Sequence, residues 1–184
     1  MAVAEQVEGH VAGTWTLDEA HTDIGFSVRH LMVSKVRGSF NRFSGTITTA
    51  ADPLESSAEL TVELSSIDTR NDDRDAHLRT ADFFDADTHP MMSYRSTAIR
   101  RDGDDFVVDG ELTIKGVSAA VTLIVEWNGI GPDPWGGTRL GLSATGEINR
   151  SDFGISFNMP LDGGGVMVGE RIKLIIEAEA ILNT

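Results

Sequence analysis

Residues 23–32 read DIGFSVRHLM, and this stretch decides the fold class. Apolar residues recur at every second position, as they do in a strand with one buried face. Ile24, Phe26 and Val28 therefore project to one side, and the ionisable ring of His30 continues their row. Such a strand either lines a pocket for an elongated apolar molecule or packs in a solid core, where a neighbouring group hydrogen-bonds His30.

The same alternation recurs along most of the chain. Residues 58–64, for example, read AELTVEL, which places apolar side chains on one face and polar ones on the other. Gly38 and Gly45 interrupt the strand pattern of residues 35–48, and glycines inside strands commonly mark bends of a curved sheet. About eight strands with frequent turns, and no obvious long crossover helix, predict an antiparallel barrel or sandwich. A barrel leaves room for a ligand and a sandwich does not; the glycine-rich bends favour the barrel.

Residues 71–89 break the strand pattern, because they are rich in Asp, Arg, Ala and His without alternation. Asn71 or Asp72 is expected to cap one short helix, since such residues bind the free N–H groups of a first turn. Thr80 or Asp82 is expected to cap a second single turn. Two small helices are thus predicted midway along the chain.

The length of 184 residues predicts one domain, which we place at residues 14–184. Residues 1–13 are predicted to be a short flexible tail, since they lack the basic start and apolar run of an export signal. We therefore expect a cytoplasmic protein. No apolar stretch approaches the ~20 residues that a transmembrane helix needs, so the chain is not expected to be integral to a membrane.

Charge and cysteine content exclude several classes of function. The formal net charge of -14 argues against a nucleic-acid partner, which needs clustered Lys and Arg, and against resting on anionic lipid head groups by charge alone. The chain has no cysteine, which excludes disulfides, thiolate metal sites and a cysteine nucleophile.

An ordered set of short motifs resembles the YceI-like family. The set spans residue 13 to about residue 182, in the family's order. It comprises WTLD at 15–18, DIGFSVRH at 23–30, VRGSF at 36–40, FSG at 43–45, SIDT at 66–69, RDAHL at 74–78, DFFD at 82–85, GELTIKGV at 110–117 and INRSDFG at 148–154.

The resemblance implies an all-β fold, an eight-stranded antiparallel lipocalin-like β-barrel with one or two short helices beside it. It also implies a long interior cavity that holds a polyisoprenoid chain or a comparable amphiphile, and pairing of the protein as a homodimer. Many relatives carry a signal peptide for the periplasm. This sequence shows none, so we expect a member that meets and exchanges its lipid at the inner face of the membrane.

With a barrel granted, the period-two rows become candidates for the ligand-binding lining. A register error of one residue would move a side chain to the outer face. His30 is a candidate for contact with a polar head group, or for a structural hydrogen bond. The hydroxyl of Tyr94 could meet a quinone carbonyl or bond ordinary backbone. The predicted ligand-binding residues are Ile24, Phe26, Val28, His30, Phe40, Phe43, Leu60, Val62, Met92, Tyr94, Leu112, Ile114 and Leu174.

Two classes of function follow. The favoured one is non-catalytic binding, transport or storage of an isoprenoid quinone, a polyprenyl phosphate or a similar lipid. The alternative is an enzyme that acts on a hydrophobic substrate in the same cavity, with His30 or the pair His21 and Asp23 as general base. No cofactor or metal is predicted, because no phosphate-binding glycine loop or zinc motif accompanies these residues. Arg74–His77 and the pair Arg150 and Asp152 are interpreted as structural groups that cap a helix and hold a loop.

Overall fold

The computed structural model describes residues 7–162 and 167–184 of the chain. Strands make up most of these residues, and β7 to β11 are the long ones. The strands are β1 (Gly13–Leu17), β2 (Asp23–His30), β3 (Ser34–Phe40), β4 (Phe43–Thr49), β5 (Ser57–Glu63), β6 (Ile67–Asp68), β7 (Met91–Asp102), β8 (Asp105–Ile114), β9 (Val117–Pro132), β10 (Thr138–Asn149) and β11 (Val168–Leu182); the α-helix is α1 (Asp72–Leu78), and 3-10 helices cover Glu19–His21, Pro53–Glu55, Leu64–Ser66 and Arg150–Phe153.

The strands form a closed antiparallel barrel. Its order is β1-β4-β5-β7-β8-β9-β10-β11, and β11 pairs back with β1. The sheet continues beside β11 through β2, β3 and β6. After the 3-10 turn Glu19–His21, β2 pairs with the first part of β11, whereas β1 pairs with its last residues. β3 likewise pairs with β2, and β6 with β3. The predicted eight-stranded antiparallel barrel is confirmed.

Tight contacts between strands explain why glycine interrupts the pattern. A Cβ atom on Gly38 would lie 2.5 Å from the Phe26 ring, which packs across β3 from the neighbouring β2. A Cβ on Gly45 would lie 2.5 Å from a methyl group of Leu17. These glycines therefore let large side chains lie flat against the inner wall of a strongly curved sheet.

Only one of the two predicted helices forms in the part of the chain described. Asn71 caps α1 by accepting a hydrogen bond from the Arg74 amide, as expected. The residues that follow instead form hydrogen-bonded turns; the Phe83 and Asp85 amides both donate to the Thr80 carbonyl. None of the described helices is long and apolar enough to cross a bilayer.

The predicted structural role of the Arg74–His77 group is confirmed. The buried carboxylate of Asp75 accepts hydrogen bonds from the amide and hydroxyl of Thr69, at 2.9 and 2.5 Å. Arg74 donates to the carbonyl and hydroxyl oxygens of Thr69 as well. These bonds fix α1 against the end of β6, and thereby position the aromatic turn that follows the helix.

Candidate functional site

The interior of the barrel contains two adjoining apolar chambers, of about 170 and about 160 Å³. We call them the upper and the lower chamber. Together they reach the lower end of the ~300–1,000 Å³ range of small-molecule pockets. The chambers meet at a waist whose side chains line both of them. The waist consists of Ile24, Leu60, Tyr94, Leu123 and Ile176.

The upper chamber is covered by the N-terminal segment that was predicted to be a tail. Val7 and His10 line this chamber, and His10 Nε2 lies 2.6 Å from the Ala50 carbonyl oxygen. The Thr49 hydroxyl donates to the Val11 carbonyl at 2.7 Å. The prediction for residues 1–6 lies outside the described residues.

The lower chamber is closed by the turn after α1 and by the loop after β10. Phe83 and Phe84 line it from the turn, next to Leu78 at the end of α1, and Phe153 and Ile155 line it from the loop. The Phe83 ring packs edge-on against Phe157 with centroids 5.2 Å apart, which joins the two segments. The end of this chamber is thus a wall of aromatic rings.

Ten of the thirteen predicted ligand-binding residues line a chamber. Ile24, Leu60 and Tyr94 line both chambers. The other seven line the lower chamber: Phe26, Val28, Phe40, Met92, Leu112, Ile114 and Leu174.

The other three predicted residues line neither chamber. Phe43 and Val62 are cross-strand partners on β4 and β5. Val62 is 1% exposed and packs with Leu64 in a hydrophobic cluster beside the lower chamber. His30 lies at the end of β2, opposite Val168 and Ser34. A role for these three in ligand contact stays a prediction.

Several lining residues were missed, although part of their signal was in the sequence. Val121, Leu123, Val125 and Trp127 follow the period of two on β9, and all four line a chamber. The aromatic turn of residues 80–89 carries no such period. Its contribution depends on where the chain returns in space, which the pattern does not contain.

Tyr94 places a hydroxyl in the middle of this apolar interior. Its ring lies over Gly110, where any Cβ would overlap the phenol. The Tyr94 hydroxyl has no hydrogen-bond partner in the described residues. Burial, with a smaller contribution from the charge of Asp109, raises the Tyr94 pKa to about 12. The phenol is therefore a neutral donor, free to bind a ligand oxygen.

Trp127 supplies a second donor of the same kind in the upper chamber. Its indole Nε1–H is buried, and it likewise has no partner among the residues described. Buried polar groups are hydrogen-bonded in the great majority of cases, so two such groups in one cavity suggest a polar ligand atom between or beside them.

Arg150 lies at the wall of the lower chamber and is only 4% exposed. Its guanidinium donates to the carbonyl oxygens of Gly169 at 2.9 Å, Phe157 at 2.8 Å, Ile155 at 3.2 Å and Val168 at 3.4 Å. Burial lowers the Arg150 pKa. The side chain ties the loop after β10 to the start of β11, which confirms its predicted structural role.

The predicted pair of His21 and Asp23 is wrong. His21 Nδ1 lies 2.7 Å from Asp18 Oδ2, because the 3-10 turn directs the ring back toward its own N-cap residue. Arg139 Nη1 also contacts this carboxylate, at 2.6 Å, and Glu179 at 2.7 Å. The hydrogen bond from Arg139 chiefly lowers the pKa of Asp18, with a further contribution from His21.

This cluster holds the rim of the barrel. Asp18, His21 and Glu179 bring their ligand atoms within 4.8 Å of one another, as a metal site would. The Arg139 guanidinium already supplies the positive charge that these oxygens need. His21 lines neither chamber, so the cluster is separate from the apolar interior.

Comparison with known proteins shows one family. The model of the YceI-like domain matches residues 15–180. A UPF0312 protein of Staphylococcus epidermidis is 40% identical over 167 residues, which cover 90% of this chain and 95% of that protein.

Solved structures agree with the fold. The YCEI protein of Campylobacter jejuni superposes with a TM-score of 0.71 at 34% identity, over 91% of this chain and 97% of that one. A polyisoprenoid binding domain from Saccharophagus degradans superposes with a TM-score of 0.67 at 16% identity, over 94% and 100% of the two chains. The latter likeness concerns the fold alone.

Proposed function

The chain belongs to the YceI-like family, and we propose that it binds a polyisoprenoid-type lipid inside the barrel without transforming it, for storage or transport. The observation that carries the proposal is the pair of joined apolar chambers with two donors, Tyr94 and Trp127, that have no partner in the described part of the chain. The polyisoprenoid binding domain of S. degradans, which shares the fold, supports this choice of ligand.

The arrangement of donors suggests how such a lipid is oriented. A head group with a carbonyl or phosphate oxygen would accept hydrogen bonds from the Tyr94 hydroxyl at the waist and from the Trp127 indole in the upper chamber. The apolar tail would fill the lower chamber, where the wall consists of aromatic and aliphatic side chains. Isoprenoid quinones and polyprenyl phosphates both have this combination of head and tail.

Energetics place selectivity in the head group. A five-carbon isoprene unit contributes roughly 4 kcal/mol when it is buried from water. In a cell, however, the competing environment is a bilayer, which is already apolar, so moving the tail into the barrel is near neutral. Each hydrogen bond to the head adds about 0.5–1.5 kcal/mol. The two donors therefore decide which amphiphile is preferred.

A non-catalytic role is favoured over the enzyme because of where the histidines lie. His30 and His21 were the predicted general bases, and neither lines a chamber. A general base must come within hydrogen-bond reach of the proton that it removes. The sites of these two rings support no reaction on a ligand in the interior.

The test is a titration with a short-chain prenyl quinone, followed by thermal unfolding. At a ligand concentration of about 100 Kd, binding to the folded state alone adds about 2.7 kcal/mol. For a chain of this size we therefore expect a rise in Tm of roughly 5–10 °C. The quinone ring without its tail is the control, and it should have no such effect. Equal shifts for both compounds, or none for either, would contradict the proposal.

A further inference from the structure

The turn between β2 and β3 exposes three consecutive apolar side chains. Leu31 is 42% exposed, Met32 is 46% exposed and Val33 is 85% exposed. We call residues 31–33 the tip loop. Its backbone amides are partly satisfied within the protein, since Leu31 donates to the Met167 carbonyl and Val33 to the His30 carbonyl. The loop therefore offers apolar side chains with few free amides to any surface that it meets.

The tip loop is also strained. Leu31 and Met32 have φ angles of 52° and 61°, in the left-handed region. Hairpin turns of this kind ordinarily take Asn and Gly, which tolerate positive φ. For bulky residues a positive φ is a true outlier. Backbone strain of this kind clusters at functional sites. The presence of Leu31 and Met32 at positions that favour Asn or Gly therefore points to a function for their apolar side chains.

Basic side chains lie directly behind the tip loop. Arg29 and Lys35 are register partners on β2 and β3, Arg37 pairs with Ser27, and Lys173 on β11 pairs with Ser27 from the other side. We call Arg29, Lys35, Arg37 and Lys173 the basic strip. All four are exposed, and none has an ion-pair partner within residues 7–162 and 167–184. On a chain with a net charge of -14, such a strip is a local exception.

The basic strip adjoins the lower chamber. Arg29, Lys35, Lys173 and Met32 line an outer groove of about 470 Å³, whose lining also includes Arg171 and the acidic side chains Glu147 and Glu170. Val28 lines this groove and also the lower chamber, so the two spaces adjoin the same residue of β2. At this point the pairing of β2 with β11 is interrupted between Val168 and Ile172. The chamber proposed for the lipid tail therefore lies next to the basic strip, at an irregular part of the sheet.

We propose that the tip loop and the basic strip dock the barrel on the surface of an anionic lipid bilayer. The apolar side chains of the loop insert at the boundary between head groups and hydrocarbon, and the four cations contact the anionic head groups. The docking proposal depends only on the tip loop and the basic strip. Docking would also turn the tail chamber toward the bilayer, so that lipid passes between them; this consequence rests on the proposed function.

Charge selects a bilayer over a second copy of the chain. In a symmetric dimer the same patch faces itself, which would bring the basic strip against its own copy. Like charges across an interface are unfavourable, whereas each Lys or Arg near an anionic lipid surface is attracted to it. The upper end of the barrel lacks this pattern, because Asp18, Asp133 and Glu179 surround Arg139 there.

The experiment is vesicle flotation with the full chain, using vesicles of phosphatidylcholine alone or mixed with anionic phosphatidylglycerol. The wild type should float with the mixed vesicles and stay unbound with phosphatidylcholine. The double variant Leu31→Asn/Met32→Gly should lose flotation while unfolding at an equal or higher temperature, because Asn and Gly suit the positive φ angles. That result separates loss of docking from loss of folding.

Charge variants complete the test. Lys35→Gln/Lys173→Gln removes two charges of the strip and should weaken binding about thirtyfold. Arg95→Gln/Arg100→Gln removes two exposed charges from β7, across the barrel, and should leave binding unchanged. Flotation of the wild type with neither vesicle, equal flotation with both, or equal losses for the two double variants would overturn the proposal. A dimer in sedimentation that dissociates in the tip-loop variant, without vesicle binding, would assign the surface to a second copy instead.

The two proposals fail separately. A protein that docks but is not stabilised by a prenyl quinone retains the docking surface and loses the proposed function. A protein that is stabilised by the quinone but does not float retains the function and loses the docking surface.

Discussion

The two chambers of the barrel are alike in size and lining but differ in their polar groups. Tyr94 at the waist and Trp127 above it are donors that find no partner within residues 7–162 and 167–184. Arg150 lies at the wall of the lower chamber, and its guanidinium donates hydrogen bonds to four backbone carbonyls. A polar side chain in an apolar cavity therefore has two uses. One is to hold the protein together, and the other is to remain available to a ligand.

The largest expected effect concerns the lower chamber. Arg150→Met leaves four carbonyl groups without their donor, and we expect it to lower the free energy of unfolding by about 3–5 kcal/mol. Urea denaturation measures this change. Arg171→Met is the matched control, because Arg171 is exposed and lies 3.6 Å from Glu147; it should cost less than ~0.5 kcal/mol. Similar losses for both variants would mean that burial does not distinguish the two arginines.

Next in size is the titration of Tyr94. It is the single tyrosine of the chain, so phenolate absorbance reports it without overlap. We expect a midpoint near pH 12 in the folded protein, against a pKa of about 10 for an unperturbed tyrosine. Since the folded-state pKa is the higher one, the free energy of unfolding is unaffected below pH 10 and falls as the pH rises from 10 to 12. A midpoint near 10 while circular dichroism shows an intact fold would mean that the hydroxyl is in water.

A smaller effect is expected when the upper chamber is made smaller. Ala144 lines that chamber and is buried, so Ala144→Leu excludes about three carbon atoms of a ligand. At ~0.8 kcal/mol for each buried CH₂, the loss is ~2.4 kcal/mol, and affinity for a short-chain prenyl quinone should fall roughly fiftyfold. Isothermal titration measures it. Ala120→Leu, on the exposed face of β9, should bind as the wild type does; an equal loss there would place the ligand elsewhere.

The smallest effect isolates one hydrogen bond. Tyr94→Phe should weaken binding of a prenyl quinone by about 1 kcal/mol, roughly fivefold, and leave binding of squalene unchanged. The free energy of unfolding should not decrease, because the variant removes a hydroxyl that is unsatisfied in the empty protein. Equal losses for the quinone and the hydrocarbon would show that Tyr94 recognises shape and not a head group.

Alternation along the strands was sufficient to predict the barrel wall. Ile24, Phe26 and Val28 face inward because a strand places every second side chain on the same face. Alternation does not, however, predict which of the inward-facing side chains line a cavity. Phe43 and Val62 belong to the same hydrophobic cluster as Ile24, yet neither of them lines a chamber.

Other features depend on contacts between distant parts of the chain. His21 turns toward Asp18 because a 3-10 helix separates β1 from β2, a break that the strand pattern did not predict. The basic strip joins residues of β2 and β3 to Lys173 on β11, which lies more than a hundred positions further along the sequence. A net charge of -14 argued against anionic lipid as a partner, but a net charge is an average over the whole surface.

The most direct measurement is native mass spectrometry of the protein purified from its own host, with organic extraction of whatever it releases. The account predicts one prenyl lipid with an oxygen-bearing head group, in a near-equal molar amount to the protein. A protein that arrives empty and gains no thermal stability from added prenyl lipids would contradict it, because the chambers would then be packing defects and not a binding site.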